Sequence, residues 1–555
     1  MGMRVRQSKF GTRAFESLAV ISVAAFLTRL LPLSMSPFPF NNDSLTECRL
    51  ANDILNTHHL VFSANAPWYG THSGATPILN MILAYMSSAL GATPLQCAQI
   101  LDAVVVVLTV GSLFLIVGLI SGNPRGAVAT GLSAVLLGTF VFTTGSVWKE
   151  MLGISLMTFA LLAFVRRDRM EFRVLTFIIL MMMPFVHHLV SAVTMLTFAY
   201  LLTWSWYFAL ANGSSKKRPM EDTFTILPPT VWMGVYYVSI GFDRVSILSS
   251  PVKMLLLLIS FGLISTVAVI ILSLKRHSRW TFAPFVGMGL LAFFVLDYLG
   301  FIFPYSSSAP PAYLVLGVAF AFLVALAWYG SEVILEKKPL YRAIQVALLI
   351  SPLSIIGFGI LHGFSLSSHQ IVYRTFDFLD IFIFIGLGMA VVYLYENHRR
   401  AYKILGVFMI LALLASFPFA YMSQDLLGVQ HDTQAYEIDA TTWIAEHASS
   451  PWLVTDERLG YIGQSMAGLP KYSSLPGDLR DNISLSPELF CLVEDSWMSR
   501  GVNDYPNGKI LLPESNYTYK IEAANIFYIG GPSGDRAVMF FTSYMGEVTI
   551  YRLDR

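Results

Sequence analysis

Apolar residues fill long blocks along the first 421 positions, each closed by a short polar turn, and the pattern changes after residue 421. Crossing about 30 Å of hydrocarbon takes roughly 20 apolar residues in a helix, and somewhat fewer where the bilayer thins. On that measure the pattern predicts thirteen membrane-spanning helices: 14–34, 97–121, 126–145, 149–165, 174–187, 190–208, 224–241, 253–274, 281–303, 313–335, 343–362, 376–395 and 404–421. The further apolar run 76–91 is expected to lie on, or dip into, the outer face, because a full crossing there would invert every later loop. The first block starts basic like a signal peptide. Its end, Leu30-Leu31-Pro32-Leu33, offers no small-residue cleavage site, so it reads as a retained anchor.

After residue 421 the periods shorten. Tyr436 to His447 has helical spacing, whereas Trp452-Leu-Val-Thr, Ile526-Phe-Tyr-Ile and Glu547-Val-Thr-Ile-Tyr read as strands between turn markers such as Pro476-Gly477 and Asn507-Gly508. The chain therefore divides into a helical polytopic membrane domain, 1–421, with a first outer loop at about 35–96, and a small α/β domain, 422–555.

Composition agrees: 55% of the 555 residues are hydrophobic and 13% charged, against about 25% charged in soluble domains. The formal net charge of +1 leaves no basic excess for nucleic acid, and three cysteines are too few for a disulfide framework. The location of charge says more than its sum. With the N-terminus inside, alternate loops collect Arg4, Arg6, Lys9 and Arg13, then Arg125, then Arg166, Arg167, Arg169 and Arg173, then Lys216, Lys217 and Arg218. Lys275, Arg276 and Arg279, Lys337, Lys338 and Arg342, and Arg399, Arg400 and Lys403 continue the series. Basic residues on one side mark it as cytoplasmic. The reading is a multi-pass protein of the cell membrane, N-terminus cytoplasmic and C-terminal domain extracytoplasmic.

The polar groups left over gather on the expected outer face. The first outer loop holds Asp43, Glu47, His58, His59, Trp68, Tyr69 and His72. Asp43 suits a general base toward a hydroxyl, or a ligand for a divalent cation such as Mg or Mn; equally, it suits a helix cap. The second outer turn ends in Lys149-Glu150, a pair that faces a cavity or each other rather than lipid. The third carries His187-His188. Adjacent histidines diverge on a helix, so one donating to a phosphate oxygen is better chemistry than a two-His metal site. The last presents Arg374, placed either for a phosphate or for pairing with Asp377 or Asp380.

Phe38-Pro39-Phe40-Asn41-Asn42-Asp43, Thr76-Pro77-Ile78-Leu79-Asn80-Met81 with Leu90-Gly91, Lys149-Glu150, His187-His188 and Arg374-Thr375-Phe376-Asp377-Phe378-Leu379 together resemble the GT-C superfamily of membrane glycosyltransferases. The thirteen-span layout with an outer tail resembles its oligosaccharyltransferase branch, archaeal members included. The resemblance implies a polyprenyl-phosphate-linked sugar donor, with transfer to a lipid, glycan or protein acceptor. It implies Asp43 as base or metal ligand and Glu150 as the second acidic position, which reads Lys-Glu here rather than paired acids. Lys149, His187, His188 and Arg374 would meet the donor phosphate, and Glu47, His58, His59, Trp68, Tyr69 and His72 the acceptor or sugar. The tail lacks a Trp-Trp-Asp-Tyr-Gly-like motif, so transfer of a single sugar fits better than transfer to Asn-X-Ser/Thr.

Two other classes stay open. A flippase or transporter of lipid-linked glycans would depend on midplane groups such as Asp102 or Asp297. A non-catalytic membrane protein would use its outer domain to bind a partner, and would leave Asp43, Glu150 and Arg374 far apart.

Overall fold

The computed structural model describes residues 12–60, 76–240, 252, 256–257, 259–264, 279–302, 311–361, 363, 366–422, 431–447, 453–472, 490–494, 536–542 and 548–554. Up to residue 421 these are helices. In order they are α1 (Thr12–Leu30), α2 (Asp43–Thr57), α3 (Ile78–Leu90), α4 (Pro94–Ser121), α5 (Pro124–Leu136), α6 (Gly138–Gly145), α7 (Lys149–Val165), α8 (Met170–Met182), α9 (His188–Ala211) and α10 (Lys217–Ile240). Arg279–Tyr298, Ala312–Ile334, Pro339–Leu361, Leu366–Asn397, Arg399–Ser416 and Pro418–Tyr421 complete the bundle.

Local sequence sets the breaks. Thr93 opens α4 with a capping box to Gln96 and Pro94 in the first turn, and Gly122 closes it in the left-handed region. Asn123 caps α5, again ahead of a proline.

Among the described residues seven helices are long and apolar enough to cross a membrane, and α5 with α6, bent by 65° at their junction, makes an eighth if counted as one span. That is fewer than the thirteen expected. Helices do form at 149–165 and 174–187, but α7 has 17 residues and α8 13, both short for a crossing. α10 and Arg279–Tyr298 fall outside the seven, and most of 253–274 lies outside the described residues. The run 76–91 is α3, a 13-residue helix packed on α2 and α4.

The Ile371–Asn397 span is central, with 89% of its apolar window buried, whereas α1 and Arg399–Ser416 line the periphery. Phe15, Val20, Val23, Phe408 and Leu411 point outward, as lipid contact requires. Small residues bring the central helices together: a Cβ at Gly330 would overlap the backbone carbonyl of Gly386. Gly330→Ala should gain about 1 kcal/mol of helix propensity. It should lose about 3 kcal/mol to overpacking against rigid backbone, so the net effect is a lower melting temperature in detergent.

Beyond the bundle, Ala435–His447 and Glu457–Ile462 are helical. Among the described residues five strands pair into one sheet: β1 (Leu453–Val454), β2 (Lys471–Tyr472), β3 (Phe490–Glu494), β4 (Arg536–Thr542) and β5 (Val548–Asp554), in the order β2-β1-β3-β5-β4. β1 runs parallel to β2 and β3, and β5 antiparallel to β3 and β4. The expected strand at Ile526-Phe-Tyr-Ile lies outside the described residues.

Candidate functional site

One end of the bundle gathers the start of α2, the α6–α7 turn and the first turns of the central helix. Phe40 plugs the loop before α2 into this end. It is buried against Val141, Ala420 and Tyr421, its N–H donates to Gln99 Oε1 at 2.9 Å, and its carbonyl accepts from Val147 N–H at 3.4 Å. Asn41 then turns the chain with φ at 77°, a left-handed conformation that asparagine adopts more readily than most residues. Its side-chain oxygen accepts the Asp43 N–H at 3.1 Å, which leaves Asp43 at the head of α2 with an exposed carboxylate. That carboxylate caps nothing: among the described residues it makes no hydrogen bond. It lies within electrostatic reach of Lys149, Glu47 and Arg374.

Lys149 and Glu150 pair neither with each other nor with empty space. Lys149 Nζ reaches Glu47 Oε2 at 3.4 Å, and both side chains are buried. Asn80 adds a hydrogen bond to the same oxygen at 2.5 Å. Burial pushes the Glu47 carboxyl above the ordinary carboxylate range, while Lys149 and Asn80 pull it back. Glu150 turns the other way. Its Oε2 accepts from Arg374 Nη2 at 2.7 Å and Nε at 3.1 Å, and Arg374 also lies over the Trp148 ring, 5.6 Å from its centroid. The expected pairing of Arg374 with Asp377 or Asp380 gives way to this contact across 224 residues of sequence. Asp380 accepts a hydrogen bond from Thr139 at 3.1 Å.

Glu150 is fully buried, and its Oε1 has no hydrogen-bond partner among the described residues, whereas the Arg374 side chain is 44% exposed. The arginine therefore fronts the solvent with a buried carboxylate behind it. Such an arrangement can receive an anion while its own charge stays oriented.

His187 precedes the helix in an extended conformation and caps α9, so its ring lies 4.6 Å from that of His188, contrary to the divergence expected of two helical neighbours. α9 packs its first turn on that of α7, where a Cβ at Gly153 would meet Val190, so the histidines share the Lys149–Glu150 end of the bundle. His58 and His59 do not join the site. They follow the far end of α2, about 22 Å along the helix from Asp43. Trp68, Tyr69 and His72 lie outside the described residues. Among the described residues no three His, Cys, Asp or Glu gather for a metal.

Two interior groups carry the transporter alternative. Asp102 is fully buried, with no hydrogen-bond partner on either oxygen among the described residues, in the field of Arg29. Asp297 accepts from Tyr313 and Tyr373. Sequence reasoning missed Asn41 and Asn80, which bear no charge, and Arg29, which was visible only as a charge inside a span. Arg29 donates to Thr144 at 2.7 Å and to the Ala134 and Val135 carbonyls near the α5–α6 bend, and so supports the strand of chain leading to Glu150.

The fold is similar to that of GT-C membrane glycosyltransferases. The archaeal oligosaccharyltransferase AglB from Archaeoglobus fulgidus, solved in complex with an inhibitory peptide and a dolichol-phosphate, superposes with a TM-score of 0.55 at 13% identity, over 88% of this chain and 70% of that one. The mycobacterial arabinofuranosyltransferase AftD matches at a TM-score of 0.49 and 14% identity, over 97% of this chain and 40% of its own. ArnT from Cupriavidus metallidurans bound to undecaprenyl phosphate matches at 0.40 and 13%, over 96% and 97%. No family model matches the sequence, and a search among curated proteins finds no match.

Proposed function

We propose that the protein is a GT-C-type glycosyltransferase that moves a sugar from a polyprenyl-phosphate-linked donor to a lipid, glycan or protein acceptor on the outer face of the membrane. In this reading the chain crosses the bilayer thirteen times, and residues 422–555 form an extracytoplasmic α/β domain. The observation that carries the proposal is the meeting of Asp43, Glu150 and Arg374, from three distant stretches of chain, at one end of the bundle. The fold similarity to AglB, solved with dolichol-phosphate, supports a lipid-phosphate donor.

The donor's prenyl tail would lie between helices with its phosphate against Arg374, flanked by His187 and His188. Asp43 would take the proton from the acceptor hydroxyl as its oxygen attacks the anomeric carbon. The bond from that carbon to the phosphate oxygen breaks, and polyprenyl phosphate leaves with its charge facing Arg374. A carboxylate such as Glu150 stabilises the oxocarbenium-like charge that develops in between. A divalent cation, if one is used, would be held by Asp43 together with phosphate oxygens and water, a coordination that suits Mg2+.

The test uses the full chain in proteoliposomes with a radiolabelled sugar on polyprenyl phosphate and a mixture of lipid and glycan acceptors. Release of free polyprenyl phosphate with label on an acceptor is the expected result. Movement of intact donor between leaflets, lost on Asp102→Asn, would instead select the transporter reading.

A further inference from the structure

The Asp43 carboxylate makes no hydrogen bond among the described residues, so its position follows from the backbone of loop 36–42 and the first turn of α2, where the Asp43 N–H donates to Asn41 Oδ1. That backbone is held from two sides. The bundle holds Phe40, and the other side is the tail. Asn41 N–H donates to the His431 carbonyl at 3.1 Å, and Thr433 Oγ1 donates to Asn42 Oδ1 at 3.2 Å. Ser36 Oγ donates to the Thr433 carbonyl, and Thr46 Oγ1 meets Ser465 Oγ at 2.8 Å. The His431 ring closes the gap between Phe40 and Phe142, at 6.1 Å and 4.7 Å between centroids. These contacts bracket Asp43 at positions 36, 41, 42 and 46.

The tail segment is itself braced. Arg458 donates to the Asp432 carbonyl at 3.1 Å and pairs with Glu437, which is fully buried and also accepts the Gln434 N–H at 2.8 Å. Thr433 is fully buried and Ser465 nearly so. Surface decoration would not bury an ion pair to fix four residues of loop; a strap that must hold a set position would.

We propose that residues 431–447 and 453–467 are a built part of the site, a strap that sets the position of Asp43, with Thr433 and Ser465 as positioning residues. The catalytic arm of this proposal rests on the glycosyltransferase reading; the structural arm does not. Hydroxyl–amide bonds of this kind hold a loop that has no regular structure of its own, and loosening them lets it open locally.

Full-length Thr433→Val and Thr433→Ser variants in nanodiscs test the strap by amide hydrogen exchange, with no substrate present. Exchange at residues 41–46 should rise about tenfold in Thr433→Val and stay at the parental rate in Thr433→Ser, because the hydroxyl is retained. Turnover should fall roughly tenfold in the valine variant with donor KM unchanged, since a displaced catalytic group can cost up to about 100-fold. The serine variant should restore it. Ser465→Ala, at the other end of the strap, should raise exchange at 43–47 and serves if Thr433→Val does not fold. Parental exchange in both the valine and alanine variants would overturn the strap. Normal turnover in Asp43→Asn alongside raised exchange would overturn the enzyme reading and leave the strap standing.

Discussion

Replacing Asp43 by Asn is expected to abolish sugar transfer, by on the order of 100-fold or more, the worth of a positioned general base. The fold should survive the change. Asp43 is exposed and its carboxylate bonds to nothing among the described residues, so Asn, of equal size, removes no packing and strands no buried group. The remaining loss is the favourable charge at the N-terminus of α2, about 0.3–1 kcal/mol. Turnover of a polyprenyl-phosphate-linked sugar and the melting temperature, measured on one preparation, decide the matter. Full activity would remove Asp43 from the chemistry, whereas loss of activity with loss of folding would move its role into the scaffold.

The second large effect concerns the Glu150–Arg374 pair, whose partners differ in exposure and should therefore fail differently. Glu150 is fully buried, so Arg374→Gln leaves a buried carboxylate uncompensated. A wholly buried pair broken in this way costs about 3–5 kcal/mol. The Arg374 side chain is 44% exposed, so solvent screens part of the charge, and a loss of about 1–3 kcal/mol is the better expectation. Glu150→Gln leaves only a half-exposed arginine, which water can solvate, so stability should fall by less than about 1 kcal/mol. Activity reverses the order of interest. Glu150→Gln should reduce kcat by about 100- to 1,000-fold if its charge serves the transition state, whereas Arg374→Gln should act mainly through weaker donor binding, read as a raised KM. A Glu150→Gln enzyme that is less stable than Arg374→Gln would show that the burial asymmetry is misassigned.

The site was partly legible before any geometry. Asp43, Glu150 and Arg374 stood out because ionisable residues at the ends of apolar helices are costly unless they have partners or work to do. Their partners were not legible. Lys149-Glu150 looks like a pair in sequence, yet helical geometry turns neighbours about 100° apart, and each finds a carboxylate or guanidinium on another helix instead. His187 and His188 misled in the opposite direction, because the helix begins between them and their rings come together. Span boundaries blur where helices are short or bent: α7 and α8 are helical as expected but have only 17 and 13 residues, and α5 breaks from α6 beside the carbonyls that Arg29 holds.

The sequence by itself determined that the chain is a helical membrane protein, where most of its helices lie, and that its basic and acidic groups segregate, since hydropathy and charge are properties of single segments and need no partners. Which residues meet, that His431, Thr433 and Ser465 of the tail contact the loop around Asp43, and that Arg374 answers Glu150 rather than its own helix were decided only by tertiary structure. Those outcomes depend on packing between segments up to 419 positions apart, and no local pattern encodes that.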